Sequence, residues 1–346
     1  MADEAIGLPP ELTKFDPENM RGAILEVPSH VEQGYRMPDS LDLRKMDGKF
    51  SAVLIAGMGG SSIAGLLLKS YLEDECIRLD VIQDYVLPKW ADNKTLLIAC
   101  SYSGNTEETL SVFKEARRAE CSIVAVTTGG KLEEYTRISK IPTMLLQAGY
   151  QPRAAMTVQF FAMLRVLERL KLIPSKAAEV LKLKEDLKNQ LQSLEKNAMI
   201  LSDKLLSKTP IIYTSRRFGT VGYRWKCQFN ENSKVMSYNN VFPELNHNEV
   251  EGYANTRGNY HAIILRFSED HRRVQRRMSL TKEIMLRKGI SATEIGITGP
   301  SLLSKLFSAI LLGDLTSYYL ALRIGMNPSK VELIEGFKKD LGPYVA

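Results

Sequence analysis

Four cysteines in 346 residues, Cys76, Cys100, Cys121 and Cys227, are too few and too irregularly spaced for a disulfide scaffold, and none forms a CxxC pair. Histidine is as sparse. His30, His247, His261 and His271 stand at no ligand-pair spacing, so no built-in metal site is expected. No apolar run reaches the roughly 18 uninterrupted residues of a membrane helix; the nearest, 307–324, is broken by Asp314 and Arg323. The opening Met-Ala-Asp-Glu-Ala-Ile-Gly-Leu-Pro-Pro lacks the basic start and apolar core of a signal peptide. A reducing cytoplasm is the expected compartment, with no membrane partner. Charge of one sign never dominates: 46 Lys and Arg against 40 Asp and Glu leave a net +6. The densest basic run, His-Arg-Arg-Val-Gln-Arg-Arg at 271–277, has no aromatic residue to stack on bases and reads as a solvated helix face, so no nucleic-acid partner is expected. Phosphate-loop and nucleophile-elbow motifs are missing, and Gly57-x-Gly59-x-x-Ser62 lacks the third glycine of a dinucleotide fingerprint.

The chain is long enough for two domains of roughly 150 residues. The first 50 residues read as helical around 17–35 and then as loop. Short apolar strands alternating with helices follow at 52–56, 79–82, 95–100, 122–127 and 143–146, the pattern of a parallel sheet covered on both faces. An apolar helix at 155–172 closes this half. Leu187, Leu191, Leu194, Ala198, Leu201 and Leu205 form one stripe at spacings of three and four, a long helix packed on a domain. A second alternating region predicts strands at 210–215, near 234–238, 261–267 and 291–297, with helices at 221–231, to Lys288, at 302–324 and near 330–341. The expected architecture is α/β: two doubly wound domains, each a parallel sheet flanked by helices, plus a C-terminal helix. The expected boundaries are 1–45 (helical segment), 46–172 (first domain), 173–208 (connecting helix), 209–325 (second domain) and 326–346 (C-terminal helix).

One stretch stands out. Leu-Ile-Ala-Cys-Ser-Tyr-Ser-Gly-Asn-Thr-Glu-Glu-Thr-Leu, residues 97–110, sets a buried strand directly against three hydroxyl side chains and a glycine. In an open parallel sheet, ligands sit beyond the C-terminal strand ends. A helix N-terminus there supplies unpaired N–H groups and positive dipole, which favour an anion. Ser101, Ser103 and Thr106 add hydroxyls, Gly104 lets the backbone approach, and Gly60 and Ser61 of Gly-Met-Gly-Gly-Ser-Ser would face them. A phosphomonoester needs such a set of donors. The bland alternative is helix capping, with Asn105-x-x-Glu108 as the box; the two are compatible.

Gly-Met-Gly-Gly-Ser-Ser, followed about 40 residues later by Ser-Tyr-Ser-Gly-Asn-Thr-Glu-Glu-Thr, resembles the sugar isomerase (SIS) fold. Phe229-Asn-Glu-Asn-Ser-Lys, Pro243-Glu-Leu-Asn-His and Gln151-Pro-Arg-Ala-Ala extend the likeness to the bifunctional phosphoglucose/phosphomannose isomerases over about residues 52–341. The resemblance implies Glu231 as proton-transfer base and Arg153 as the enediolate stabiliser. It implies His247, contributed across a homodimer interface, for ring opening, assisted by Lys338, with Lys339 the neighbouring register. The implied phosphate contacts are Gly60, Ser61, Ser101, Ser103 and Thr106. Asn246 departs from members that carry a second histidine there. The implied activity is a metal-independent, cofactor-free interconversion of glucose 6-phosphate, and with it mannose 6-phosphate, with fructose 6-phosphate through a cis-enediolate. The alternatives are a non-catalytic sugar-phosphate-binding regulator, against which the missing DNA-reading module and the intact Glu231, Arg153 and His247 set argue, and an isomerase of amino-sugar phosphates.

Overall fold

The computed structural model describes residues 10–46, 50–342 and 344. In chain order come helices α1 (Pro10–Thr13), α2 (Met20–Leu25) and α3 (Val27–Arg36), then strand β1 (Ala52–Ala56) and α4 (Gly59–Tyr71). Next are β2 (Leu79–Ile82), β3 (Thr95–Cys100), α5 (Glu107–Arg118), β4 (Ser122–Thr127), α6 (Gly130–Ile138), β5 (Thr143–Leu145), α7 (Met156–Arg169) and α8 (Ala177–Lys204). The second run is β6 (Thr209–Ser215), α9 (Gly219–Glu231), β7 (Tyr238–Phe242), β8 (Tyr260–Phe267), α10 (Arg272–Arg287), β9 (Ser291–Ile297), α11 (Leu302–Arg323) and α12 (Glu332–Leu341). The chain divides into two compact units: residues 26–184 with 339–346, and residues 1–25 with 185–338.

The unit of residues 26–184 is built on a five-stranded sheet in the order β2-β1-β3-β4-β5, every neighbour parallel. Ala-Val-Leu-Ile-Ala of β1 and Thr-Leu-Leu-Ile-Ala-Cys of β3 are buried at every residue, as strands covered on both faces must be. The amphipathic α5 turns Leu110, Val112, Phe113 and Ala116 onto Leu54, Leu97 and Ile123. The chain runs from β1 outward to β2 and back to β3, so the order reverses between β1 and β3. A crevice for ligands forms at such a reversal, outside the C-terminal strand ends.

The other unit holds a four-stranded parallel sheet, β7-β6-β8-β9, with Tyr213, Phe242, Ile264, Met278 and Met285 in its core. Helix α9 is fixed on α11 by buried polar bonds. Trp225 Nε1 donates to the Ala309 carbonyl at 2.8 Å, and the Arg224 guanidinium makes two bonds to Asp314, 3.0 and 2.8 Å. Removing either member of a buried ion pair strands the other and costs about 3–5 kcal/mol, so the pair dictates how α9 lies. The N-terminal segment belongs here too. Asp16 accepts from the Met20 and Arg21 amides, capping α2, and from the Tyr318 hydroxyl at 3.0 Å, while Arg21 reaches Glu195 of α8 at 2.7 and 3.0 Å.

The strand expected near 234–238 lies instead at Tyr238–Phe242. Lys234 has a left-handed backbone (φ 57°), and the Ser237 amide donates to the Asn230 side chain at 3.1 Å. These hold 232–237 as a loop, so pairing with β6 begins only at Tyr238 opposite Ile211.

His261 at the start of β8 is buried, bonded to Thr293 at 2.9 Å, and burial, then the Lys204 and Lys208 ammoniums, push its pKa down to about 4. The folded chain therefore holds it neutral, and this contribution is complete above the unfolded value of about 6.5 and lost as pH falls from there through 4. His261→Asn should flatten that part of the acid limb: the urea midpoint should drop less between pH 7 and pH 4.5 in the variant than in the parent chain.

Candidate active site

The C-terminal ends of β1 and β3 are neighbours, since Ala56 pairs with Ala99. From β1 the chain enters α4, whose first turn carries Gly60 and Ser61, both buried. Ser61 Oγ accepts from Gln159 Nε2 of α7 at 3.0 Å, which leaves its own proton able to turn toward a ligand. Ser62 Oγ accepts from Gln83 at 3.0 Å and donates to the Gly59 carbonyl at 2.9 Å. From β3 the chain passes through 101–106 into α5. Buried Ser101 donates to Thr106 Oγ1 at 2.9 Å, and Ser103 Oγ accepts from the Asn105 amide at 3.2 Å. Gly104 is left-handed at φ 68°, and a Cβ there would stand 1.7 Å from the Gly129 carbonyl oxygen, so only glycine fits.

The expected Asn105–Glu108 capping box does not form. Asn105 Oδ1 accepts from the Lys131 amide at 3.1 Å, in the first turn of α6, instead. Thr106 is the N-cap residue of α5 and Met58 that of α4, and neither makes a side-chain cap bond. Two helix N-termini therefore end beside each other without side-chain acceptors on their first N–H groups, the condition that favours a bound anion.

Arg153 stands in the turn before α7, 3% exposed, with Nη1 3.4 Å from Gln151 Oε1. It adjoins the first loop: a Cβ on Gly60 would meet the Pro152 carbonyl oxygen at 2.9 Å and Arg153 Cα at 3.0 Å. Gly60, Ser61, Ser101, Ser103, Thr106 and Arg153 thus gather at one sheet edge. Cys100 lies among them, but burial pushes its thiol up to about 12, against the opposing pull of Ser61. It stays protonated and is no nucleophile at neutral pH.

In the other unit Glu231 is the last residue of α9, half-buried. Helix α9 leaves the C-terminal end of β6 and returns, so Glu231 lies at the N-terminal edge of the sheet, where Ser237 Oγ donates to the Pro210 carbonyl at 3.0 Å. His247 follows the C-terminal end of β7 in a short 3₁₀ turn, Glu244–His247, and is exposed. Asn246 ties this turn to α10, donating to Thr281 Oγ1 at 2.9 Å and accepting from Arg277 at 3.4 Å. Just beyond, Glu249 accepts from Asn240 at 2.5 Å and from the Tyr213 hydroxyl, whose pKa burial drives far up. Glu231 and His247 of one chain thus lie toward opposite edges of this sheet. Lys338 is exposed on α12. Sequence reasoning missed Gln159, Gln83 and Lys234. Gln159 was detectable as a polar residue inside the apolar run of 156–164, and its Oε1 has no hydrogen-bond partner among the described residues.

The arrangement is that of a sugar isomerase (SIS) protein, with two serine-bearing loops at the C-terminal edge of its first sheet. A crystal structure of a hypothetical protein from Thermus thermophilus aligns with a TM-score of 0.77 at 14% identity, covering 96% of this chain and 94% of that one, which fixes the fold. Residues 194–341 match the family model described as the bacterial phospho-glucose isomerase C-terminal SIS domain. The bifunctional phosphoglucose/phosphomannose isomerase of Caldicellulosiruptor bescii is 38% identical over 331 residues, 92% of this chain and 98% of that protein. Its namesake from Thermoplasma volcanium is 35% identical over 85% of this chain and 92% of that one. The chain belongs to the bifunctional phosphoglucose/phosphomannose isomerase family, and it is a sugar-phosphate isomerase.

Ser101→Ala removes the hydroxyl that donates to Thr106 Oγ1 and should weaken inorganic phosphate binding about tenfold, as loss of one hydrogen bond in a charged site does (~1.5 kcal/mol). Gly104→Ala should weaken it further by displacing the whole loop. Isothermal titration with inorganic phosphate reads both.

Proposed function

We propose that the chain interconverts glucose 6-phosphate and mannose 6-phosphate with fructose 6-phosphate, without a metal or organic cofactor. The observation that carries this reading is the cradle: hydroxyls of Ser61, Ser101, Ser103 and Thr106 and two uncapped helix N-termini beside buried Arg153. The cradle holds the 6-phosphate. Glu231 takes the proton from C2 of the open-chain aldose, and the C2–H electron pair moves into the C1–C2 bond as the C1 carbonyl becomes an enediolate oxygen. The O2 hydroxyl proton passes to O1, and returning the carbon-bound proton to C1 as the C2–O bond becomes the carbonyl gives the ketose. The Arg153 guanidinium balances the enediolate charge, which exists only near the transition state. Both aldoses share this intermediate and differ in which face of C2 is protonated.

Ring opening needs an acid and a base at O5 and O1. His247, assisted by Lys338, fills that role. In this reading the histidine that completes a site comes from the second copy of a homodimer, in keeping with Glu231 and His247 lying at opposite edges of the second sheet. Four free cysteines fit the reducing conditions of a cytoplasmic setting. Among the described residues no helix is long and apolar enough to cross a membrane. The regulator and amino-sugar readings are not favoured, because the relatives reported above span nearly their whole length and carry the isomerase name.

Glu231→Gln should lower turnover by about 10²–10⁴, the range for a positioned base. Arg153→Ala should cost roughly 10²–10³ in kcat, as loss of an oxyanion donor does; a change confined to KM would assign it to substrate binding. Both are read in a coupled assay on fructose 6-phosphate with EDTA present, following each aldose product. Mixing Glu231→Gln with His247→Ala chains should restore activity in hybrid dimers, measured after co-refolding; no restoration would keep each site within one chain.

A further inference from the structure

We propose that Lys234 is a positioning residue that holds the backbone of Glu231 in register for proton transfer; this rests on Glu231 being the base. Helix α9 ends at Glu231, with the Asn232 amide bonded to Gln228 O at 2.8 Å and the Ser233 amide to Phe229 O at 3.1 Å. The last carbonyls of a helix have no intrahelical donor and carry the negative end of its dipole. Lys234, turned back by its left-handed backbone, supplies one. Its Nζ lies 2.8 Å from Glu231 O, 3.2 Å from Asn232 O and 2.5 Å from Asn327 O, so among the described residues the ammonium donates to carbonyls on both segments. On the other side, Asn232 Nδ2 donates to Ser317 Oγ at 3.0 Å and Ser233 Oγ to Ser317 O at 2.6 Å.

The far anchor is itself built. Asn327 Oδ1 accepts from the Ser329 amide at 2.8 Å and the Lys330 amide at 3.3 Å, and its Nδ2 donates to Glu18 Oε2 at 2.9 Å. This loop leads into α12, which carries Lys338. One ammonium therefore clasps the peptide bearing the base to the segment that launches the second candidate catalytic group. Without it, the Glu231 carbonyl would lose this donor and the helix end would be held by the Ser317 bonds alone.

Lys234 is exposed, and exposed charges contribute little to stability. That separates positioning from bulk support. Lys234→Met keeps the length and loses the charge. Lys234→Gly suits the left-handed backbone and loses the side chain altogether. Both should lower kcat about tenfold, in keeping with a sub-ångström displacement of a reacting group, with KM for fructose 6-phosphate within about twofold. Tm should stay within about 2 °C in Lys234→Met and not fall in Lys234→Gly. A carboxylate with a looser seat exchanges its proton with water more often, so in D₂O both variants should incorporate more solvent deuterium per turnover. Lys234→Arg, which can still reach the carbonyls, should recover most of kcat. Glu231→Gln is measured alongside. If it is inactive while Lys234→Met works at the parent rate, the clasp is overturned and the base stands. If kcat, KM and Tm worsen together in Met and Gly variants, Lys234 is a structural residue and the proposal fails. If Glu231→Gln keeps its rate, it is the base assignment that has failed.

Discussion

Unpaired backbone donors decide where this protein can hold an anion. A parallel sheet sends each strand into a helix at one edge, and each helix begins with N–H groups that no residue of its own can satisfy. In most helices a Ser, Asp or Asn at the N-cap occupies them. Here α4 follows Met58 and α5 follows Thr106, and neither makes a side-chain cap bond. Asn105, well suited to cap, is drawn away by the Lys131 amide. The two helix ends follow neighbouring strands at the reversal of strand order between β1 and β3. Ser61 Oγ accepts from Gln159, and Thr106 Oγ1 accepts from Ser101, so the Thr106 proton is left to turn toward an anion while that of Ser101 is engaged.

The second unit uses its sheet differently. Its own reversal, between β6 and β8, follows the same topology, yet Glu231 lies at the opposite edge. What fixes Glu231 is the seating of α9 on α11. The Arg224–Asp314 pair and the Trp225–Ala309 bond set the direction of the helix, and Ser317 and Lys234 fix its last peptide. A buried ion pair adds little net stability but is expensive to break singly. Here it gives the helix one seat, and a carboxylate at the helix end inherits that precision.

Much of this was legible in the chain because the physics is local. Buried parallel strands must be apolar throughout, so 52–56, 95–100 and 122–127 were visible as runs, and the hydroxyl knot at 101–106 was conspicuous where β3 stopped being apolar. The strand at 238–242 was misplaced because Tyr-Asn-Asn-Val-Phe carries polar residues at an edge position, while Val235 and Met236 mimic alternation inside a loop. The capping box failed for a different reason: its asparagine has a tertiary partner 26 residues away, which no local pattern contains. Glu231, Arg153 and His247 were named through family motifs, since a single acid, cation or imidazole carries no periodic signal. Gln159 and Lys234 escaped because their roles exist only as contacts with Ser61 and with the Glu231 and Asn327 carbonyls.

The division of labour bears on how one pocket can serve two aldoses. The phosphate is attached to C6, and the two substrates differ only at C2. Donors that grip the phosphate stabilise both substrates, both products and the shared enediolate alike, which lowers KM without distinguishing them. Discrimination has to arise at groups that address C2, which in the proposed mechanism are Glu231 and Arg153. Arg153 is tied to the cradle through its contact with Gly60, whereas Glu231 is seated by α11 and the Asn327 loop. The proposed cation is thus seated beside the loop proposed to hold the phosphate, and the proposed base is held by separate bonds. A base seated independently of the substrate's tail can meet either face of a C2 that turns about the C2–C3 bond, and that is the mechanical requirement for epimeric substrates to share a single intermediate.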